Sequence, residues 1–194
     1  MLDHNRYALK EWAIHQQVLA DGRQILLVKK GGIHEKRGGF TVEHREFFLF
    51  PTRIHQAKED LIPLFHRDLE SIQAAPHDEK SLTLEYYATV EDVRRVADLA
   101  LVHALAGHHI LSASAVDERF HYRNNPGVHV MALRIHRLPA PRTVAVRESY
   151  GGCVSWVDLE EEVPTAGATP VLSDAAFSER IGAVRALLAP VPVL

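Results

Sequence analysis

The chain has 194 residues, with 22 Lys and Arg against 25 Asp and Glu, a formal charge of −3. Hydrophobic residues make up 46% and charged residues 24%, which excludes a disordered chain, while the slight acidity excludes a protein that coats nucleic acid by bulk charge. A chain of this length buries roughly 70% of its unfolded surface, and its single cysteine, Cys153, excludes a disulfide framework or a cysteine-rich zinc site.

In chain order, the start MLDHNRYALKEW holds no apolar leader. No later run approaches the roughly 18 apolar residues of a membrane span, so the expectation is a cytoplasmic protein with no membrane partner. Residues 7–19 space Leu9, Trp12, Ala13, Gln16 and Leu19 three or four apart and predict a short amphipathic helix or a helix that frays into a strand. Gln24–Lys30 reads as a buried strand. The glycine-framed KKGGIHEKRGGF at 29–40 then predicts the exposed tip of a hairpin-like unit over 29–56, closed by the aromatic strand FTVEHREFFLFP. A helix is predicted over Thr52–Leu69 with a break at Pro63. Ser81–Val90 follows as a strand, and Val93, Val96, Ala97, Ala100, Leu101, Ala104 and Leu105 predict a helix over 91–106 that Gly107 ends. Ser112 or Ser114 caps a second helix over Ser112–Tyr122, Asn124–Gly127 is a turn, and Val128–Leu138 is the clearest strand. The acidic EEEVPTAGATP at 160–170 reads as a linker to a terminal helix over 173–188. Strands and helices mix without a βαβ rhythm. This predicts an α+β fold, one compact domain over 1–163 with a mixed or antiparallel sheet, then a linker and tail helix over 164–194.

Charge is distributed unevenly. Residues 119–147 hold six arginines and no acid, whereas 148–180 hold seven acids and one base. Two readings stay open: the arginines pair with the acidic segment, or they form a local phosphate-binding face. On the second reading the candidate contacts are Lys29, Lys30, Arg119, Arg134 and Arg137, with Thr52, His55 and Gln56 as polar readers. Thirteen histidines include His44, near Glu46, and His55 and His109, yet no HExxH or CxxC ligand spacing exists, so no metal site is assigned.

Several segments together resemble a bacterial family catalogued as domain of unknown function 1802. They are ALKEWA at 8–13, QILLVKKGGIHEK at 24–36, FTVEHREFFLFPTRIHQ at 40–56, HHI at 108–110, RFHY at 119–122, LRIHRLP at 133–139 and CVSWVDL at 153–159. Lys29 stands where arginine is expected, and Leu111 where tryptophan is expected. The resemblance implies a fold and brings no activity or cofactor with it. The leading expectation is therefore binding of nucleic acid or a phosphorylated ligand. One alternative is a metal-assisted phosphodiesterase using Glu35, His44, His55 or His109. The other is an adaptor without catalysis, built on the acidic segment and the terminal helix.

Overall fold

The computed structural model describes residues 1–30, 41–152 and 154–194. The tip at 31–40, with Glu35, and Cys153 lie outside the described residues.

The first element corrects the sequence expectation. Residues His4–Trp12 form strand β1, and only Ala13–Ala20 form helix α1. Ala8 and Leu9 are both fully buried, on opposite faces. A segment with neighbours on both edges and both faces satisfies its backbone as a central strand, and this overrides a weak helical spacing.

Strand β2 (Leu26–Lys29) pairs antiparallel with β5 (Val128–Ala145), from Leu26 opposite Ala132 to Lys29 opposite His129. Strand β3 (Glu46–Thr52) runs parallel to β1, with Ala8 opposite Phe48 and Trp12 opposite Thr52. On its other edge β3 meets β4 (Ser81–Val96), which forms a long antiparallel ladder with β5. Strand β6 (Trp156–Pro164) closes the outer edge of β1, and the short β7 (Thr169–Pro170) pairs with β5. The order is β2-β5-β4-β3-β1-β6, a mixed sheet in an α+β domain. Strands β2 and β3 are therefore not neighbours, so the two described arms of the hairpin-like unit expected over 29–56 do not pair with each other. The segment predicted as a linker instead continues β6 to Pro164.

The helices shift in a similar way. The predicted 91–106 helix is strand as far as Val96, and only Leu99–Ala104 form helix α3. Three residues apart in a strand, Val93 and Val96 face different core clusters. In this extended geometry Arg94 Nε donates to Asp92 Oδ1 at 2.9 Å, satisfying both buried charges. After β3, short 3₁₀ turns at 58–60 and 63–65 precede helix α2 (His66–Ala74), because Pro63 is tolerated only in a first turn. Helix α4 (Ala113–His121) starts at the predicted cap, with Ala115 N donating to Ser112 Oγ at 3.3 Å.

The terminal helix α5 (Asp174–Leu187) packs against the sheet. Its Phe177, Ile181 and Val184, with Leu188, join a core cluster shared with Leu26 and Val28 of β2, Val130 of β5 and Phe120 of α4. Arg94 Nη1 also donates to the carbonyls of Leu188 and Val191, each at 2.7 Å. Ser173 Oγ accepts from Ala176 N at 3.2 Å at the exposed start of α5. Ser173→Ala should cost about 1 kcal/mol, read as a shifted urea midpoint at constant slope.

One consequence of the topology positions everything that follows. Strands β2 and β1 stand four places apart in the sheet, about 19 Å if it were flat. Yet Lys29 Nζ of β2 lies 2.9 Å from Glu11 Oε2 of β1. The sheet is thus strongly curled, and Leu9, Leu27, Phe47, Leu49, Ala88, Met131 and Leu133 fill its inner face.

Candidate ligand-binding cleft

Where the curled edges approach, the ends of β1 and β2 and the helix α4 frame an open cleft of about 360 Å³. β1 contributes Lys10, Glu11 and Trp12, and β2 contributes Lys29, with Lys30 next to it. Helix α4 brings Glu118 and Arg119, the turn after it Tyr122, and the approach to β6 Val154 and Ser155. Four cationic residues face two carboxylates. A space of this size accommodates one small ligand or one unit of a polymer.

Glu11 organises the floor. Its carboxylate is buried and accepts from Trp12 N at 2.9 Å, from Lys29 Nζ at 2.9 Å and from His15 Nδ1 at 3.1 Å. Burial alone would raise the Glu11 pKa, but Lys29, His15 and Arg119 outweigh it and hold Glu11 well below the usual carboxylate range. Burial lowers His15 despite the attraction of Glu11, so at neutral pH a neutral ring donates from Nδ1 to an ionised carboxylate. Thr52 Oγ1 donates to the Glu11 carbonyl at 3.1 Å, which places it as a brace behind the cleft.

The upper wall is differently constructed. Arg119 Nη1 donates to the Val28 carbonyl at 2.9 Å, and its guanidinium lies 4.9 Å from the centre of the Trp12 ring. Lys30 Nζ donates to the carbonyls of Phe120 (3.0 Å), Gly127 (2.6 Å) and Asn125. All these acceptors are neutral, so neither cation is neutralised by an ion pair among the described residues. Burial lowers both pKa values.

Of the sequence-predicted contacts, the structure brings Lys29, Lys30 and Arg119 together and places the rest elsewhere. Arg134 pairs with Asp174 and lies over Phe177, and Arg137 donates to Tyr86 Oη at 2.6 Å. Gln56 is buried, with Oε1 accepting from Ile14 N at 3.1 Å. His55 is exposed in the left-handed conformation (φ 59°), and neither it nor Gln56 lines the cleft. His44 stacks on Tyr7 at 3.6 Å between ring centres, with Trp156 edge-on at 5.2 Å.

His109 is buried against α1. Leu111 N donates to its Nδ1 at 3.2 Å, so Nε2 carries the proton. A metal at Nε2 would require the opposite tautomer, with Nδ1–H facing the Leu111 N–H. No group of three or more histidine, cysteine or acidic side chains suited to a metal exists among the described residues. The catalytic candidates His44, His55 and His109 therefore form no such group, and Glu35 lies outside the described residues. No described helix is long and apolar enough to cross a membrane.

Sequence reasoning missed Glu11, Trp12, His15 and Tyr122. A usable signal was present: Glu11 and His15 stand four apart in KEWAIH, a spacing that joins a strand end to the first turn of a helix.

Comparison with known proteins gives three findings. A family model described as "Domain of unknown function (DUF1802)" matches residues 8–183. No curated protein matches the chain. Among solved structures, an ASCH protein from Zymomonas mobilis is similar with 9% identity and a TM-score of 0.44, over 91% of this chain and 93% of its own. A serine-to-alanine mutant of that protein is similar with 10% identity and a TM-score of 0.40, over 94% of this chain and 99% of its own. Likeness at this level lends this chain no function.

Proposed function

We propose a function for a chain that belongs to the DUF1802 family, a name that assigns none: it binds the phosphate groups of a nucleic-acid or nucleotide ligand in the cleft between β1, β2 and α4. The observation that carries this reading is the convergence of Lys29, Lys30 and Arg119 with Lys10 on one open cavity. Lys30 and Arg119 are held there by neutral carbonyls, so their positive charge remains available to an anion. The overall acidity of the chain is no obstacle, because counterion release depends on the charge at the contact.

Fluorescence anisotropy with labelled oligonucleotides across a salt series tests the reading. Wild-type affinity should fall linearly on a log–log salt plot. Lys30→Ala and Arg119→Ala should each flatten the slope by about 0.7 for a single strand, one phosphate contact apiece. Arg134→Ala and Arg137→Ala, which alter residues outside the cleft, should leave the slope unchanged. Circular dichroism confirms that each variant is folded. A wild-type protein that binds neither oligonucleotides nor inorganic tripolyphosphate at low salt rejects the reading.

A further inference from the structure

Phosphate attraction alone does not explain the aromatic side of the cleft. Tyr122 lines it and leaves 42% of its surface exposed, among the largest exposed apolar side chains of the chain. It stands on a turn with two successive non-glycine residues in the left-handed region, Arg123 (φ 58°) and Asn124 (φ 52°). Such backbone is strained for residues other than glycine and persists only where the surroundings enforce it. Lys30 is the enforcing group: its ammonium bonds the carbonyls of Phe120, Asn125 and Gly127 on both sides of the turn. In the same cleft the Arg119 guanidinium lies over Trp12, and the Arg123 guanidinium lies 5.4 Å from the centre of the Tyr122 ring. An exposed ring that lines a cleft rich in cations is a stacking platform for a flat π-system.

We propose that the cleft takes an unpaired nucleobase of a single-stranded nucleic acid, stacked on Tyr122, with the Arg119–Trp12 pair lining the same cleft. This rests on the phosphate-binding reading of the same cleft and narrows its ligand. A duplex keeps its bases stacked on one another and offers no free face to Tyr122, whereas every unpaired base does. The sugar–phosphate on either side of the base meets Lys29 and Lys30. Stacking is indifferent to base identity, so the site grips strands with little sequence preference.

The test uses the full chain with a labelled RNA oligonucleotide, DNA of the same sequence, and the RNA annealed to its complement. Inorganic tripolyphosphate serves as the anion without a base. Either single strand should bind at least about tenfold tighter than the duplex, and Tyr122→Ala should weaken single-strand binding about 5- to 150-fold. Tyr122→Phe, which keeps the ring, should bind as wild type, and Tyr122→Ala should lose far less affinity for tripolyphosphate than for single strands. The proposal is overturned if Tyr122→Ala holds single strands as wild type does, if the duplex binds equally well, or if tripolyphosphate affinity falls in parallel. In each of those results tripolyphosphate still binds the wild type, which separates this failure from failure of the phosphate-binding reading.

Discussion

Replacing Glu11 by alanine should lower the unfolding free energy by about 3–5 kcal/mol, the largest effect expected of any polar substitution in the cleft. The carboxylate is the acceptor for Lys29 Nζ and His15 Nδ1 and also takes the Trp12 N–H, all in a buried setting. Its removal strands hydrogen-bonding groups on β1, β2 and α1 together, and it cuts the tie that holds the curled edges of the sheet near each other. For a domain of this size the loss corresponds to roughly 6–20 °C in melting temperature. Glu11→Gln should cost less, because an amide oxygen still accepts from Trp12 N while the charge is lost. Thermal and urea unfolding of the two variants measure this. Equal stability of Glu11→Ala and wild type would show that the Lys29–Glu11–His15 set holds nothing together.

The second large effect is a loss of stability on acidification. Burial, helped by the positive field of His15, Arg119, His108 and His103, pushes His109 down to about 4 from an ordinary value of 6.5. Burial lowers His15 and His136 in the same direction. Between pH 6.5 and 4 the unfolded chain takes up protons that the folded chain refuses. Stability is therefore full above 6.5 and falls as the pH drops toward the folded values. His109 alone accounts for on the order of 3 kcal/mol across that window, at about 1.4 kcal/mol for each pH unit. Below its ordinary value of 4.5, Glu11 adds to the loss, since it stays ionised in the fold while the unfolded carboxylate is protonated. Urea denaturation at pH steps from 7.5 to 4.5 measures the slope. His109→Gln, which can still accept from Leu111 N, should remove up to one proton from it. A slope identical to that of the wild type would place the acid sensitivity elsewhere.

The extent to which the chain could be read in advance depended on whether the signal was local. The cap at Ser173 and the stripe of Phe177, Ile181, Val184 and Leu188 identify α5 correctly, because a helix records its buried face every three or four residues. The β3 run EFFLFPT likewise shows its nature: alternate residues enter two clusters, Phe47 and Leu49 on one side and Phe48 and Phe50 on the other. Residues 7–12 and 91–96 were misleading for a shared reason. Each becomes strand because partners distant in sequence pair with its backbone, and apolar spacing within the segment carries no trace of them.

The cleft divides along the same line. The amino-acid sequence by itself determined an α+β chain, family membership, and a local surplus of basic side chains that included Lys29, Lys30 and Arg119. Residue type and short-range spacing encode those properties directly. Tertiary structure alone decided which cations share a site. The curl of the sheet brings the end of β2 to the end of β1, delivers Lys29 to Glu11, and leaves Arg134 and Arg137 on surfaces occupied by Asp174 and Tyr86. It also brought Tyr122 and Trp12, two unremarked aromatics, to the lining of one cleft, since their meeting there across more than a hundred residues is a property of strand order and not of any segment.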